Sequence, residues 1–241
     1  QDEQRFYDEK VVTLPGSYQA NDNKGRVLAP TPSRAEAGLP ADGLVFCNFN
    51  NAYKLTPGTF AGWMHILKQV DGSLLWLLQS PAPFADNIRQ AAQAQGVSGT
   101  RIFFAPDRAQ ADHLARLGLA DLFLDSLPYN AHTTTSDALW TGLPVLTLMG
   151  RSFASRVAAS LLNAVGLPEL ITSTQEEYEV LAIDLATNPH KLADIKLKLA
   201  KNRLTTPLFD TPLFTKNLEV AYSKMYERYQ DDLQPDHITI I

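Results

Sequence analysis

The sequence predicts an α/β fold, a Rossmann-like doubly wound parallel sheet, on three observations. Short apolar runs alternate with segments whose apolar residues recur at helical spacing, each run ends in polar loop-forming residues, and the alternation is sustained from residue 43 to residue 166. Strands buried on both faces and joined by amphipathic helices are the pattern of βαβ units. At 241 residues, 45% hydrophobic and 20% charged, the chain has material for one sizeable core, which excludes disordered, collagen-like and small disulfide-stapled classes.

The elements follow in order. GLVFCNFN (43–50) is a first strand ending at a polar loop. Thr56-Pro57 opens a helix, with Thr56 as N-cap and Pro57 at the first helical position, and Phe60, Trp63, Met64 and Leu67 form its buried face. Asp71-Gly72 turns the chain into SLLWLLQ (73–79), a second strand. A helix over 85–95 ends at Gly96, RIFFA (101–105) is a third strand, and a helix runs over 109–118. ADLFLD (120–125), a helix over 134–141, PVLTL (144–148) and a helix over 153–166 complete the alternation. After Glu169 only helices are expected, over 175–187, 190–203 and 212–230. Residues 1–42 carry Pro15, Pro30, Pro32 and Pro40 too closely for a long helix and read as a linker, with residues 43–241 as the folded domain.

A net charge of −5 argues against a phosphate-coating surface, so no nucleic-acid partner is expected. No apolar stretch reaches the roughly 20 residues that span a bilayer. The opening QDEQRFYDEK lacks the basic start and apolar core of a signal peptide, and the lone Cys47 cannot form an internal disulfide. A cytoplasmic protein without membrane attachment is the expectation. The absent starting Met reads as the end of something longer.

In open parallel sheets ligands bind beyond the carboxyl ends of the strands. The residues there are Asn50, Asn51, Tyr53 and Lys54 after the first strand, Pro106, Asp107, Arg108 and Gln110 after the third, and Asp125, Tyr129, Asn130, His132, Thr133 and Thr134 after the fourth. NAHTTTSDALW puts hydroxyl residues at a helix start, where unpaired N–H groups and the helix dipole attract anions. Threonines there can equally be ordinary caps. What favours a nucleotide diphosphate is the company of His132 just before, Asp137 one turn on as a ribose acceptor, and Lys54 as a point charge. His113 and Arg116 share a helix face, and by themselves they read as an exposed polar surface rather than as a base-stacking imidazole beside a cation. His65, His190 and His237 read as structural or solvated, and Cys47 as a buried hydrophobe. Zinc-ligand spacing, the P-loop, G-x-S-x-G and GxGxxG are all missing from the sequence.

FCNFNNAYKLTP, LLWLL, ADLFLDSLPYNAHTTTSDALWTGLPVLT, FASRVAASLL and PLFDTPLFTKNLEVAY with MYERY and PDH, in this order from Phe46 to His237, resemble the C-terminal catalytic lobe of the protein O-GlcNAc transferase family. The resemblance implies a GT-B glycosyltransferase with two Rossmann-like lobes, the C-terminal one holding UDP-GlcNAc. It implies that Lys54 contacts the diphosphate and stabilises departing UDP as the catalytic cation, that Thr133 and Thr134 bind phosphate with His132 beside them, and that Asp137 bonds the ribose. His113 then stacks on uracil with Arg116 near the nucleoside, which reverses the plain surface reading of His113. Two departures stand out: Asn51 occupies the position of a Gln near the diphosphate, and Gln110 that of a Lys near the nucleoside, which Arg108 could replace.

The implied reaction is metal-independent, inverting transfer of N-acetylglucosamine from UDP-GlcNAc to Ser or Thr hydroxyls of protein acceptors, with no cofactor. The acceptor-activating lobe and recruiting tetratricopeptide repeats are expected upstream of Gln1, residues 1–42 being the end of that lobe, so the isolated chain holds an incomplete active site. Other readings are the nucleotide-sugar lobe of another GT-B transferase or a UDP-sugar epimerase, and a non-catalytic α/β binding module.

Overall fold

The computed structural model describes residues 4–241, so the first three residues of the expected linker lie outside the described residues. The strands are β1 (Val12–Thr13), β2 (Val45–Asn48), β3 (Leu74–Leu78), β4 (Ile102–Ala105), β5 (Leu122–Leu124), β6 (Val145–Leu148), β7 (Ile171–Thr172) and β8 (Ile238–Thr239). The helices are α1 (Pro57–Gln69), α2 (Phe84–Ala94), α3 (Gln110–Leu117), α4 (Thr133–Thr141), α5 (Val157–Ala164), α6 (Gln175–Thr187), α7 (Pro189–Asn202) and α8 (Thr211–Gln230). Six strands form one parallel sheet in the order β4-β3-β2-β5-β6-β7. The chain winds outward from β2 to β4, then returns to the centre at β5 and winds the other way. The switch point therefore lies between β2 and β5, where this fold class binds ligands.

Local chemistry sets the helix boundaries. The Thr56 hydroxyl accepts from the Thr59 N–H at 3.3 Å, with Pro57 at the first helical position. The expected apolar face of Phe60, Trp63, Met64 and Leu67 is buried against the sheet. Arg101 closes the other end of α1, its guanidinium donating to the carbonyls of Leu67 at 2.7 Å, Val70 at 2.9 Å and Ser73 at 2.8 Å. Gly142 ends α4 at φ 87°, a left-handed conformation that glycine adopts without Cβ strain, and the chain turns directly into β6.

Three expectations change. The region after Glu169 is not helices only: β7 pairs with β6 at the sheet edge, a strand of two residues, too short to show any periodicity. β8 lies in the terminal segment and pairs in parallel with β1, so part of the stretch read as a linker joins a small second sheet at the other end of the chain. That pairing has no local signal because its partners are separated by more than two hundred residues, Val12 opposite Ile238. The helix expected over 153–166 is divided into a 3-10 turn (Phe153–Ser155) and α5. The break has a cause: the Ala154 carbonyl accepts from the Asn130 N–H at 3.0 Å and faces His132 Nε2 at 3.2 Å, so it is taken up outside the helix.

Among the described residues, no helix is long and apolar enough to cross a membrane. Cys47 is a free thiol wholly buried in β2, and burial pushes it above the usual thiol range.

The Tyr178 hydroxyl, buried on α6, donates to the Asp125 carbonyl at 3.0 Å and accepts from Trp63 Nε1 at 3.2 Å, tying α6 and α1 to the end of β5. Replacing Tyr178 by Phe leaves a buried carbonyl and a buried indole N–H unpaired. We expect a stability loss of about 1–3 kcal/mol in urea unfolding at unchanged m-value. A loss under about 0.5 kcal/mol, the range of a neutral surface change, would refute the assigned role.

Candidate functional site

The loops after β2 and β5 meet at the switch point. Asn48 Nδ2 donates to the Leu124 carbonyl at 2.7 Å and Asn50 Nδ2 to Ser126 Oγ at 3.1 Å, so two side chains from one strand end bind the other strand end. Lys54 closes the 3-10 turn Ala52–Lys54, is only 9% exposed, and donates from Nζ to the Asn130 carbonyl at 2.9 Å. Its ammonium also sits 4.0 Å from the centre of the Tyr129 ring, a cation–π contact. Burial lowers the Lys54 pKa and the nearby Asp125 carboxylate opposes that shift. The amine is thus a pinned, partly desolvated cation, the form in which a point charge acts most strongly on an anion.

Asp125 is the residue beneath this arrangement. It closes β5 at 3% exposure, and its Oδ1 accepts from the N–H groups of Ser126 at 2.8 Å and Ala131 at 2.7 Å while Oδ2 accepts from Thr147 Oγ1 at 2.7 Å. Burial pushes its pKa up to about 6 against the pull of those three donors. The loop 126–131 is in this way folded around one carboxylate. Its own Asn130 is fully buried and donates to the Ser126 carbonyl at 2.9 Å.

That loop delivers the chain into α4. His132 is the N-cap residue and makes no side-chain cap bond, so the threonines after it are helical residues and not caps. The first intrahelical bond runs from the Ser136 N–H to the His132 carbonyl at 3.1 Å, which leaves the N–H groups of Thr133, Thr134 and Thr135 at the open end of the helix. Thr135 turns its hydroxyl back to the Ala131 carbonyl at 3.0 Å, whereas Thr133 is exposed and Thr134 half-buried. The His132 ring lies among Tyr129 at 5.0 Å, Phe153 at 6.4 Å and the Tyr18 hydroxyl, 3.5 Å from Nδ1. A proton on Nε2 is required for its bond to the Ala154 carbonyl. Burial lowers the His132 pKa, which keeps that neutral form. Asp137, one turn beyond Thr133 on the same helix face, is 9% exposed and forms an ion pair with Arg26 at 3.2 Å.

The second set of expected residues gathers around α3. Arg116 is 5% exposed; it donates to the Pro106 carbonyl, and its Nη2 lies 2.6 Å from His113 Nδ1. The Phe49 ring faces both, 5.6 Å from the His113 ring and 5.1 Å from the guanidinium carbon. Nδ1 accepts from the guanidinium, so the imidazole carries its proton on Nε2. Burial and Arg116 bring the His113 pKa down to about 4. Against the surface reading, neither side chain is a solvated polar ornament. Arg108 is exposed and, with Arg116, Asp112, Trp76, Pro30 and Pro32, lines a cleft of about 440 Å³. Gln110 and Asn51 are exposed, and Asn51 precedes the 3-10 turn without a side-chain cap bond.

The structure thus brings Lys54, His132, Thr133, Thr134 and Asp137 to one helix start, and sets His113 with Arg116 on α3 against Phe49. Three participants carried no assigned role in the sequence. Asp125 had a signal, a charge ending an apolar strand; Tyr18 and Arg26, in the segment read as a linker, had none. Among the described residues, no group of three or more His, Cys, Asp or Glu is placed to hold a metal ion.

Comparison with known proteins bears on this arrangement. The model of glycosyl transferase family 41 matches residues 18–218. A probable UDP-N-acetylglucosamine–peptide N-acetylglucosaminyltransferase of Arabidopsis thaliana, SEC, is 42% identical over 98% of this chain and 25% of its own length. The UDP-N-acetylglucosamine–peptide N-acetylglucosaminyltransferase of Caenorhabditis elegans is 41% identical over 86% of this chain and 18% of its own. The chain therefore spans about a quarter or less of these curated relatives. A solved structure of an O-GlcNAc transferase mutant from Thermobaculum terrenum superposes with a TM-score of 0.84 at 30% identity, over 94% of this chain and 43% of that one. The parallel sheet is accordingly that of the C-terminal lobe of a GT-B glycosyltransferase. Because the matched stretch runs through the whole sheet, from the segment ahead of β2 into α8, this chain belongs to glycosyl transferase family 41.

Proposed function

We propose that this chain is the UDP-GlcNAc-binding lobe of an inverting glycosyltransferase that transfers N-acetylglucosamine to Ser and Thr hydroxyls of proteins. The observation that carries the reading is the pinned Lys54 ammonium beside the open N-terminus of α4, with the Thr133 and Thr134 hydroxyls uncommitted to capping. A diphosphate set there meets a cation, helix N–H groups and two hydroxyls, with His132 Nε2–H held away on the Ala154 carbonyl. Asp137 takes the ribose hydroxyls, and the neutral His113 ring, fixed by Arg116, takes the face of the base, with Arg108 and the Asn51 amide at the rim.

In the transfer step the acceptor oxygen forms a bond to the anomeric carbon as the bond from that carbon to the diphosphate breaks. The electron pair leaves with UDP, and the cradle around Lys54 stabilises the charge that develops on it. The acceptor proton goes to a base outside the residues assigned here. We propose that this base belongs to a preceding lobe, and that tetratricopeptide repeats recruiting protein acceptors precede this chain as well, in a longer protein acting in the cytoplasm. The quarter-length coverage of the Arabidopsis relative supports that division.

Calorimetric titration checks the cradle. Lys54→Met should weaken UDP at least about tenfold while changing uridine less than about twofold, because the missing charge acts on the phosphates. Equal losses for both ligands would refute the assignment. In the complete transferase the same substitution should lower turnover by about a hundredfold or more; near-normal turnover would remove Lys54 from the leaving-group role.

The His113 environment gives a pH dependence. A histidine in the unfolded chain titrates near 6.5, whereas the folded ring resists protonation down to about 4. As pH falls from about 6.5 toward 4, the unfolded chain binds a proton that the folded chain refuses, so stability falls across that window. Urea unfolding as a function of pH should show a shallower fall for His113→Gln than for the wild type. Identical profiles would mean that the ring is not held neutral.

A further inference from the structure

We infer that Arg26, from the segment ahead of the sheet, positions the Asp137 carboxylate to accept from the ribose hydroxyls of a bound nucleoside diphosphate. The inference rests on the nucleotide reading above and adds a residue to it that touches no ligand.

The Arg26 side chain is 9% exposed, and its guanidinium lies against a pair of mutually packed rings, 5.8 Å from the centre of Trp140 and 5.7 Å from that of Phe209. Nη2 donates to Ser136 Oγ at 2.9 Å and to Asn21 Oδ1 at 3.4 Å. Asn21 is itself held at three points: it accepts from Ser136 Oγ, its Nδ2 donates to the Leu208 carbonyl at 3.2 Å, and its carbonyl accepts from Thr211 Oγ1 at 2.8 Å. A cation held against two rings and donating to two polar partners is not free to swing out to a ligand. Its remaining group, Nη1, stands 3.2 Å from Asp137 Oδ1, an ion contact that is not aligned as a hydrogen bond.

The geometry at Asp137 completes the case. Asp137 follows Thr133 by four residues and so projects on the same face of α4 as the anion-facing helix start. Its side chain keeps 13% of its surface exposed, and Arg26 engages Oδ1, leaving Oδ2 as an acceptor. Burial raises the Asp137 pKa and Arg26 opposes it. Without the guanidinium, a largely buried carboxylate loses the charge that favours its ionised form and the contact that fixes its rotation. A vicinal diol is the group such a singly engaged carboxylate is suited to accept from.

The test is a ligand-by-residue cycle with two probes, UDP and 2′,3′-dideoxy-UDP, titrated calorimetrically into the wild-type chain, Arg26→Met, Arg26→Lys, Asp137→Asn and the Arg26→Met/Asp137→Asn pair. Arg26→Met keeps an apolar stem against Trp140 and Phe209. The wild type should favour UDP over the dideoxy compound by about tenfold. Arg26→Met should erase most of that preference while the dideoxy compound binds within about twofold of wild type, and adding Asp137→Asn should cost nothing more. Arg26→Lys, which keeps the charge without the fork, should retain part of the preference and serves as the comparison if Arg26→Met fails to fold. A merely structural role would weaken both probes together, which overturns the inference, as would a full preference in Arg26→Met or tighter UDP binding there. Failure of the wild-type chain to bind UDP would instead refute the nucleotide reading, and the inference with it.

Discussion

The candidate site depends on one buried carboxylate. Asp125 ends β5 at the switch point and gathers two backbone N–H groups and a threonine hydroxyl around itself, so the six residues that follow it cannot run on as an extended loop. Everything expected of an anion cradle is suspended from that fold-back. The Asn130 carbonyl that holds Lys54, the N–H that takes the Ala154 carbonyl out of a helix, and the entry angle of α4 all belong to the segment Asp125 organises. A charge with this little exposure is costly unless its donors are complete, so the loop is held to one geometry.

A second layer of support comes from outside the parallel sheet. Tyr18 reaches His132, Arg26 reaches Asp137, and Pro30 and Pro32 wall the cleft beside Arg116. The segment ahead of β2 therefore contacts the residues at the start of α4 directly and shares the lining of the cleft beside Arg116. Its irregular backbone suits that work, because a chain without its own ladder can place single side chains against several helices in turn. The terminal segment returns to the same region of the chain through β8, whose parallel pairing with β1 is closed by the Val11 N–H donating to His237 Nδ1 at 2.9 Å.

Much of this was legible in the sequence because it is encoded locally. Apolar runs of four or five residues flanked by helix caps fix the strands of the centre, and Thr56-Pro57 fixes the start of α1 to the residue. The strand-end rule pointed to Lys54 and the threonine run before any neighbour was known, and the motifs carried the family. What was illegible is what depends on distant partners. β7 and the β1–β8 pair are too short for any period, and the helix over 153–166 was broken by a carbonyl that answers to Asn130 and His132. The surface reading of His113 and Arg116 failed for the same reason: helical spacing shows that two residues share a face, and only packing against Phe49 shows which face is buried.

The sequence by itself determined the fold class, the order of the sheet-forming units and the residue types at the strand ends, since periodicity and capping are properties of neighbouring residues. Only the tertiary structure decided how those residues are used. It turned Thr133 and Thr134 from caps into an open helix end, made Lys54 a pinned cation, gave Asp125 the central role and brought Arg26 against Asp137. The Lys54 and Arg26 contacts join segments far apart in the chain, and they form because a polar group enclosed by the fold is costly unless it finds a partner.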